Sequence, residues 1–334
     1  MAVNFDLTTI WAFIIAFAVL MYVVMDGFDL GIGILFPTFQ PGEERSQAMN
    51  AVAPVWDGNE TWLVLGGGGL FAAFPLAYAI ILPATYPLII AMLLGLVFRG
   101  VAFEFRWRDP GHERLWDIAF FLGSLVAAMA QGMILGALLQ GVAVEGRSYA
   151  GGWLDWLSPY SLLTGLGVVA GYALLSATFL AMKVTGRAEE HAYRLATKAA
   201  FATALLMLAL SLATPLLARQ YWDRWFDWPN ILFTSQVPLL TGILFFLLVR
   251  SIVKRQQYRP FLLSLGLFVL GMVGLGISMW PFVVPESVTI WEAAAPERSQ
   301  IFMLVGVAVI MPVILAYTAW AYWVFRGKVA EGYH

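Results

Sequence analysis

The sequence predicts an all-α polytopic membrane protein with nine transmembrane helices, arranged as two four-helix bundles plus one peripheral helix. Three observations predict it. Apolar residues make up 61% of the chain and charged residues 12%, against about a quarter charged in a soluble domain. Mainly apolar runs of about 20 residues, the length of one bilayer crossing, recur from end to end. The basic residues fall on alternate sides of those runs, as topology signals do.

The nine expected spans lie at about 8–36, 51–74, 79–102, 115–140, 160–184, 198–218, 230–250, 260–284 and 301–325. The first run lacks a basic leader and is too long for a signal-peptide core, so it is read as a retained span. The second is the least hydrophobic. Gly141 to Pro159 is the longest non-apolar stretch, and it divides the chain into 1–140, a first four-helix bundle carrying intramembrane acids; 141–159, a periplasmic linker; 160–284, a second bundle; and 285–334, the peripheral ninth helix and tail. Pro281 and Pro285 close the eighth span. No short repeat is visible.

Orientation follows from the loops. Arg45, Arg106, Arg108, Arg114, Lys183, Arg187, Arg194, Lys198, Arg250, Lys254, Arg255, Arg259, Arg326 and Lys328 share one side, opposed by Arg147, Arg219, Arg224 and Arg298. The positive-inside rule therefore places the N-terminus in the periplasm and the C-terminus in the cytoplasm. Trp153, Trp156, Tyr160, Trp222, Trp225, Trp228, Trp280 and Trp291 crowd the other side, where aromatics suit the membrane interface.

The near-neutral charge and the lack of a basic tail give no reason to expect nucleic acid. Cysteine is absent, which excludes disulfides, thiolate metal sites and iron–sulfur clusters. His112, His191 and His334 all fall outside the expected spans, so no imidazole is available at depth for a membrane haem or copper. Methionine ligation stays open as an alternative, with most of the 13 methionines read as apolar filler.

The chemistry concentrates in three consecutive spans. DGFDLGIG sets Asp26 and Asp29 on one helix face, with Gly27 and Gly31 as a small-xxx-small pair for close helix approach. In the next span, APVWDGNETWLVLGGGG places Asp57, Asn59 and Glu60 where charge is expensive, roughly 2.5 to 3.5 kcal/mol at a bilayer centre. Arg99 closes the third span. A rise of about 1.5 Å per residue puts Asp26 roughly 27 Å along its helix, and Asp57 and Glu60 about 10 to 15 Å from the start of theirs. Antiparallel spans thus bring four acids and one base to similar depth. One arginine cannot neutralise four carboxylates, so protonation or water contact is required. Two readings follow: a proton entry from the cytoplasm, or a structural cluster pinning three helices through Arg99. Asn59 fits a hydrogen-bonding strut, since an amide passes protons poorly. Gly66 to Gly69 lacks the Lys-Ser/Thr of a phosphate loop and instead suits close helix packing or a flat ligand. Trp62, by itself, is a packing or lipid-facing tryptophan.

DGFDLGIG, WDGNETWL, the following GGGGLFAAFP, FRGVAFEFR at Phe98 to Arg106 and MWPFVVPES at Met279 to Ser287 together resemble subunit II of cytochrome bd-type quinol oxidases. The similarity runs from first span to last, and the short length resembles the cyanide-insensitive branch. The resemblance implies two four-helix bundles plus one peripheral helix. It also implies a larger subunit I of similar fold, holding two haem b groups, the haem d or b-type oxygen site and the quinol-oxidising loop. Asp57 matches the family's aspartate on the cytoplasmic proton pathway, and Trp62 the tryptophan beside an oxygen entrance. Asp26, Asp29 and Arg99 match polar motifs that support the pathway. Glu60 stands where other members carry glutamine.

The resemblance thus implies a terminal quinol oxidase of the bacterial inner membrane, electrogenic without pumping, that reduces dioxygen to water. It allows a small single-span subunit, bound lipid, and a structural quinone that no motif here locates. The rival reading is a proton-coupled secondary transporter, since midmembrane acids beside glycine-broken helices occur there.

Overall fold

The computed structural model describes residues 6–329, so His334 lies outside the described residues. Among the described residues nine helices reach 18 residues or more: α1 Leu7–Leu35, α2 Trp56–Ala73, α3 Pro75–Arg108, α4 Glu113–Leu139, α5 Pro159–Lys183, α6 Gly186–Ala213, α7 Gln236–Val253, α8 Arg259–Met279 and α9 Glu297–Val324. Eight of these regions are long and apolar enough to cross a membrane. The exception is α2. Its acids, amide and glycines dilute its hydropathy, although 18 residues give about 27 Å of helix.

The position of α2 accounts for that composition. It runs antiparallel to α1, with Asn59 bonded to the carbonyl of Met25, Trp62 edge-on to Phe17, and Gly66 and Gly69 facing Val19 and Ile15. Near its start Asn59 reaches α1 and Glu60 reaches α3. The glycine run is packed on one side and open on the other, since nothing lies within 4 Å of a Cβ placed on Gly67 or Gly68.

Boundaries depart from expectation where polar helix formers extend a span. The sixth helix begins at Gly186, well before the expected start near 198, because GRAEEHAYRLATK carries good helix formers past the apolar run. The third runs to Arg108 through Pro83 and Pro87. The seventh is preceded by a short turn, Ile231–Thr234. The eighth ends at Met279, and Phe282–Val284 pairs antiparallel with Val288–Thr289. A second small hairpin, Val144–Glu145 with Ser148–Tyr149, sits in the linker.

Packing centres on α5, where 61% of the apolar window is buried, against none of that in α9. Helix α5 lies against α1, α4, α6 and α8; α3 runs along α4, and α7 along α8. Glycine permits the α1–α5 crossing. A Cβ on Gly31 would collide with the Tyr172 carbonyl and Ser176, whose hydroxyl donates to the Phe28 carbonyl. Phe28, Leu30, Leu96, Phe120, Leu174 and Phe179 form part of the resulting core.

Helix α9 touches the body mainly near its two ends. At one end the indole of Trp11 donates to the Gln300 carbonyl at 3.1 Å, beside the Asp6 cap of α1. At the other, Lys183 donates to the Phe325 carbonyl at 2.6 Å, and Lys328 donates to the Val184 carbonyl at 2.8 Å and pairs with Glu189.

Candidate functional site

Asp26 and Asp29, one turn apart on α1, point from the same face into the space between α2 and α3, and both are fully buried. Arg99, near the basic end of α3, is equally buried and reaches between them. Its Nη1 lies 3.6 Å from Asp26 Oδ1 and its Nη2 3.7 Å from Asp29 Oδ2. The same Nη1 donates to Glu60 Oε1 at 2.7 Å, and the guanidinium carbon stands 5.8 Å from the centroid of the Trp56 ring. The cluster therefore assembles three carboxylates around one guanidinium.

Asn59 organises the second side. Its Nδ2 donates to Asp29 Oδ2 at 2.7 Å and to the Met25 carbonyl at 3.3 Å, while its Oδ1 accepts from the Tyr322 hydroxyl at 2.9 Å. Both polar atoms of the amide are thereby used, in three hydrogen bonds, the arrangement expected of a strut. Both oxygens of Asp26, Oδ1 of Asp29, and Nε and Nη2 of Arg99 have no hydrogen-bond partner among the described residues. The charges are close, but their hydrogen-bonding capacity is not exhausted.

A third polar group adjoins Asp26. One turn earlier on α1, the Tyr22 hydroxyl accepts from Gln131 Nε2 at 2.7 Å, and the Tyr172 hydroxyl donates to Gln131 Oε1 at 2.6 Å. This links α1, α4 and α5. Tyr22, Gln131, Tyr172 and Tyr322 are functional candidates that the sequence reading missed. A lone amide within the apolar run around Gln131 was an available signal; the tyrosines look like interfacial aromatics until their partners are known.

Glu60 is the member that reaches the surface, its side chain 30% exposed while Arg99 is closed off. Asp57 lies apart from the cluster. It is exposed on the first turn of α2 and lines a cavity of about 110 Å³ with Asn59, Tyr317, Thr318 and Tyr322. The expected grouping of four acids thus becomes three around Arg99, with Asp57 at a separate opening. Trp62 is completely buried among Phe17, Ala18, Tyr22 and Met25, and its indole N–H has no partner among the described residues.

A separate ionic group ties the basic ends of the helices. Asp117 accepts from Arg45 at 2.5 Å and from Arg106 Nε at 2.7 Å, and Arg106 also pairs with Glu113. Arg106, which the sequence offers as a loop charge, is buried against Phe36 and Trp107.

The two described histidines are committed elsewhere. His112 pairs with Asp109, and His191 packs on Phe39 and bonds the Thr38 hydroxyl. Neither faces the buried cluster.

A family model described as cytochrome bd terminal oxidase subunit II matches residues 7–325. Cytochrome bd-I ubiquinol oxidase subunit 2 of Escherichia coli (strain K12) is 29% identical, with 96% of this chain and 95% of the relative aligned. Cytochrome bd ubiquinol oxidase subunit 2 of Bacillus subtilis (strain 168) is 27% identical over 98% of each. The solved bd oxidase from Geobacillus thermodenitrificans has the same fold, with a TM-score of 0.72 at 19% identity, covering 95% of this chain and 98% of that one.

Proposed function

The chain belongs to the cytochrome bd terminal oxidase subunit II family, and from that membership we propose that it serves as the second subunit of a quinol oxidase that reduces dioxygen to water. It is a multi-pass protein of the bacterial inner membrane. In this reading the N-terminus is periplasmic and the C-terminus cytoplasmic, all nine long helices cross the bilayer, and residues 1–140 and 160–284 form the two bundles. The haem b groups and the haem d or b-type equivalent belong to a partner subunit I. A small single-span subunit and lipid are further partners, and a structural quinone is assigned no residues here.

The chain's own contribution is part of a proton path from the cytoplasm, with Asp57 at its mouth. The observation that supports it is the graded exposure of the acids: Asp57 open, Glu60 partly open, Asp26 and Asp29 closed around Arg99. Residues three apart on a helix are neighbours, so a proton held on the Asp57 carboxylate is about 5 to 6 Å, Cβ to Cβ, from the next acid inward. Glu60 then presents that proton to a carboxylate cluster held by one guanidinium. Water formation consumes these protons, making the reaction electrogenic without pumping. Trp62 borders an apolar oxygen entrance, which dioxygen would reach from lipid past the exposed edge of Phe17.

A proton-coupled transporter would need a substrate cavity near mid-depth. Two cavities sit around Pro54, Val55 and Tyr322, at the basic end of the helices where the proton reading sets its opening. Purification of the native complex decides between the readings, because a missing haem-bearing partner in the reduced-minus-oxidised spectrum refutes the oxidase. In the assembled complex, Asp57→Asn is expected to slow oxygen consumption with haem retained. Normal rates across pH would remove Asp57 from the path, and loss of haem would make it structural.

A further inference from the structure

Helix α9 is read from sequence as peripheral, yet it builds one wall of the cleft into which Asp57 faces. The cleft holds about 110 Å³ between the first turn of α2 and the last turns of α9. Asp57 and Asn59 line it from α2; Tyr317, Thr318, Ala321 and Tyr322 line it from α9. A site needs only about 10–15 Å³ of such space, with two to four polar partners, to hold a water molecule. The Asp57 carboxylate and the hydroxyl-bearing residues Tyr317, Thr318 and Tyr322 supply those partners.

Tyr322 also forms a partition. The cavity on its other side, about 140 Å³, is lined by Phe179, Met182 and Phe325 among other residues, and shares Pro54, Val55 and Tyr322 with the polar cleft. The Tyr322 ring packs edge-on to Phe28 at 6.4 Å, while its hydroxyl donates to Asn59. That bond fixes which end of the amide meets Asp29. Rotating Asn59 by half a turn would set its carbonyl oxygen against the Asp29 carboxylate, where it cannot donate.

We propose that the cleft between α2 and α9 is a water-holding proton intake, and that Tyr322 of the ninth helix is its positioning residue. Tyr322 holds Asn59 in the orientation that joins the cleft to Asp29, and separates the polar cleft from its apolar neighbour. The proposal rests on the proton reading of this subunit. It adds that the intake is completed by the ninth helix, and that water held in the cleft, rather than side chains alone, delivers protons to Asp57 at the mouth.

The test uses the full oxidase complex. Ala321→Phe fills the cleft without touching an acid, Tyr322→Phe removes only the hydroxyl, and Val313→Phe enlarges an exposed position elsewhere on the same helix. Each complex is matched for haem by its reduced-minus-oxidised spectrum. Oxygen consumption and proton uptake, followed with an indicator dye, are then measured. Ala321→Phe and Tyr322→Phe are expected to slow proton uptake several-fold at full haem content, with Val313→Phe matching the unaltered complex. Where Ala321→Phe does not assemble, Thr318→Val tests the same wall by removing one polar partner. Wild-type uptake in the haem-loaded cleft variants overturns the inference. If Asp57→Asn is nevertheless slow, the inference alone fails; if Asp57→Asn is also normal, the proton reading fails with it.

Discussion

Asn59 donates to the Asp29 carboxylate across 2.7 Å while accepting from Tyr322, so one amide joins the first, second and ninth long helices. Substitution by leucine, close in size, removes these bonds and leaves the buried Asp29 carboxylate without its amide donor. A buried group that loses its partner costs about 1–3 kcal/mol. Asn59→Leu is therefore expected to lower the thermal midpoint of the complex. A double-mutant cycle with Tyr322→Phe should show the two changes to be less than additive.

Arg99 is the single cation among three carboxylates. Arg99→Leu leaves buried acids without their counter-charge, and breaking a buried pair in this way costs about 3–5 kcal/mol. The expected result is loss of assembled complex from membranes, read by immunoblot and haem content. Arg99→Lys keeps the charge but reaches fewer partners, and is expected to assemble at reduced yield.

Glu60→Gln separates two roles of one side chain. The amide retains a carbonyl oxygen that can accept from Arg99, yet it cannot take up a proton in the working range. Assembly and haem content should stay at the level of the unaltered protein while oxygen consumption falls several-fold. Equal rates would assign Glu60 a structural role only.

Gly31→Ala inserts a methyl group against the Tyr172 carbonyl and Ser176, where backbone faces backbone. Overpacking of this kind costs about 1–3 kcal/mol. The helices would have to separate, lowering the thermal midpoint. Gly67→Ala, on the open side of α2, is the matched comparison expected to leave it unchanged.

Asp6, at the opposite end of α1, caps the helix by accepting from the Thr9 N–H at 2.7 Å and also accepts from the Trp291 indole at 2.7 Å. The Thr9 bond leads in holding its carboxyl below the ordinary value of 3.8. Because the folded value is depressed, the stabilisation is present above the ordinary value and is lost as pH falls through the folded one. The thermal midpoint should therefore drop on acidification below about pH 4, and the drop should be smaller in Asp6→Asn.

Much of this was legible in the sequence because lipid imposes a simple rule: apolar length sets a helix, and an intramembrane charge needs a partner. The eight helices long and apolar enough to cross a membrane among the described residues, and the meeting of Asp26, Asp29, Glu60 and Arg99, follow from it. What rise per residue cannot give is azimuth. Asp57 and Glu60 differ by about 60° around the helix and by one turn along it, which suffices to set one at a cleft and the other on Arg99. Tyr322 was hidden for another reason. Its role depends on α9 returning to α2 across more than 250 residues of chain, a contact that no local pattern encodes. The start of α6 was misplaced because the apolar run marks where lipid begins, whereas good helix formers carry the helix beyond it.

Because Tyr322 lies on the last long helix among the described residues, the Asn59 amide lacks its third partner until α9 packs against α2. Without that packing the Asn59 carbonyl oxygen loses the Tyr322 hydroxyl and the cleft beside Asp57 loses one wall. Docking of α9 is thereby the step that completes the polar contacts joining the first, second and ninth long helices.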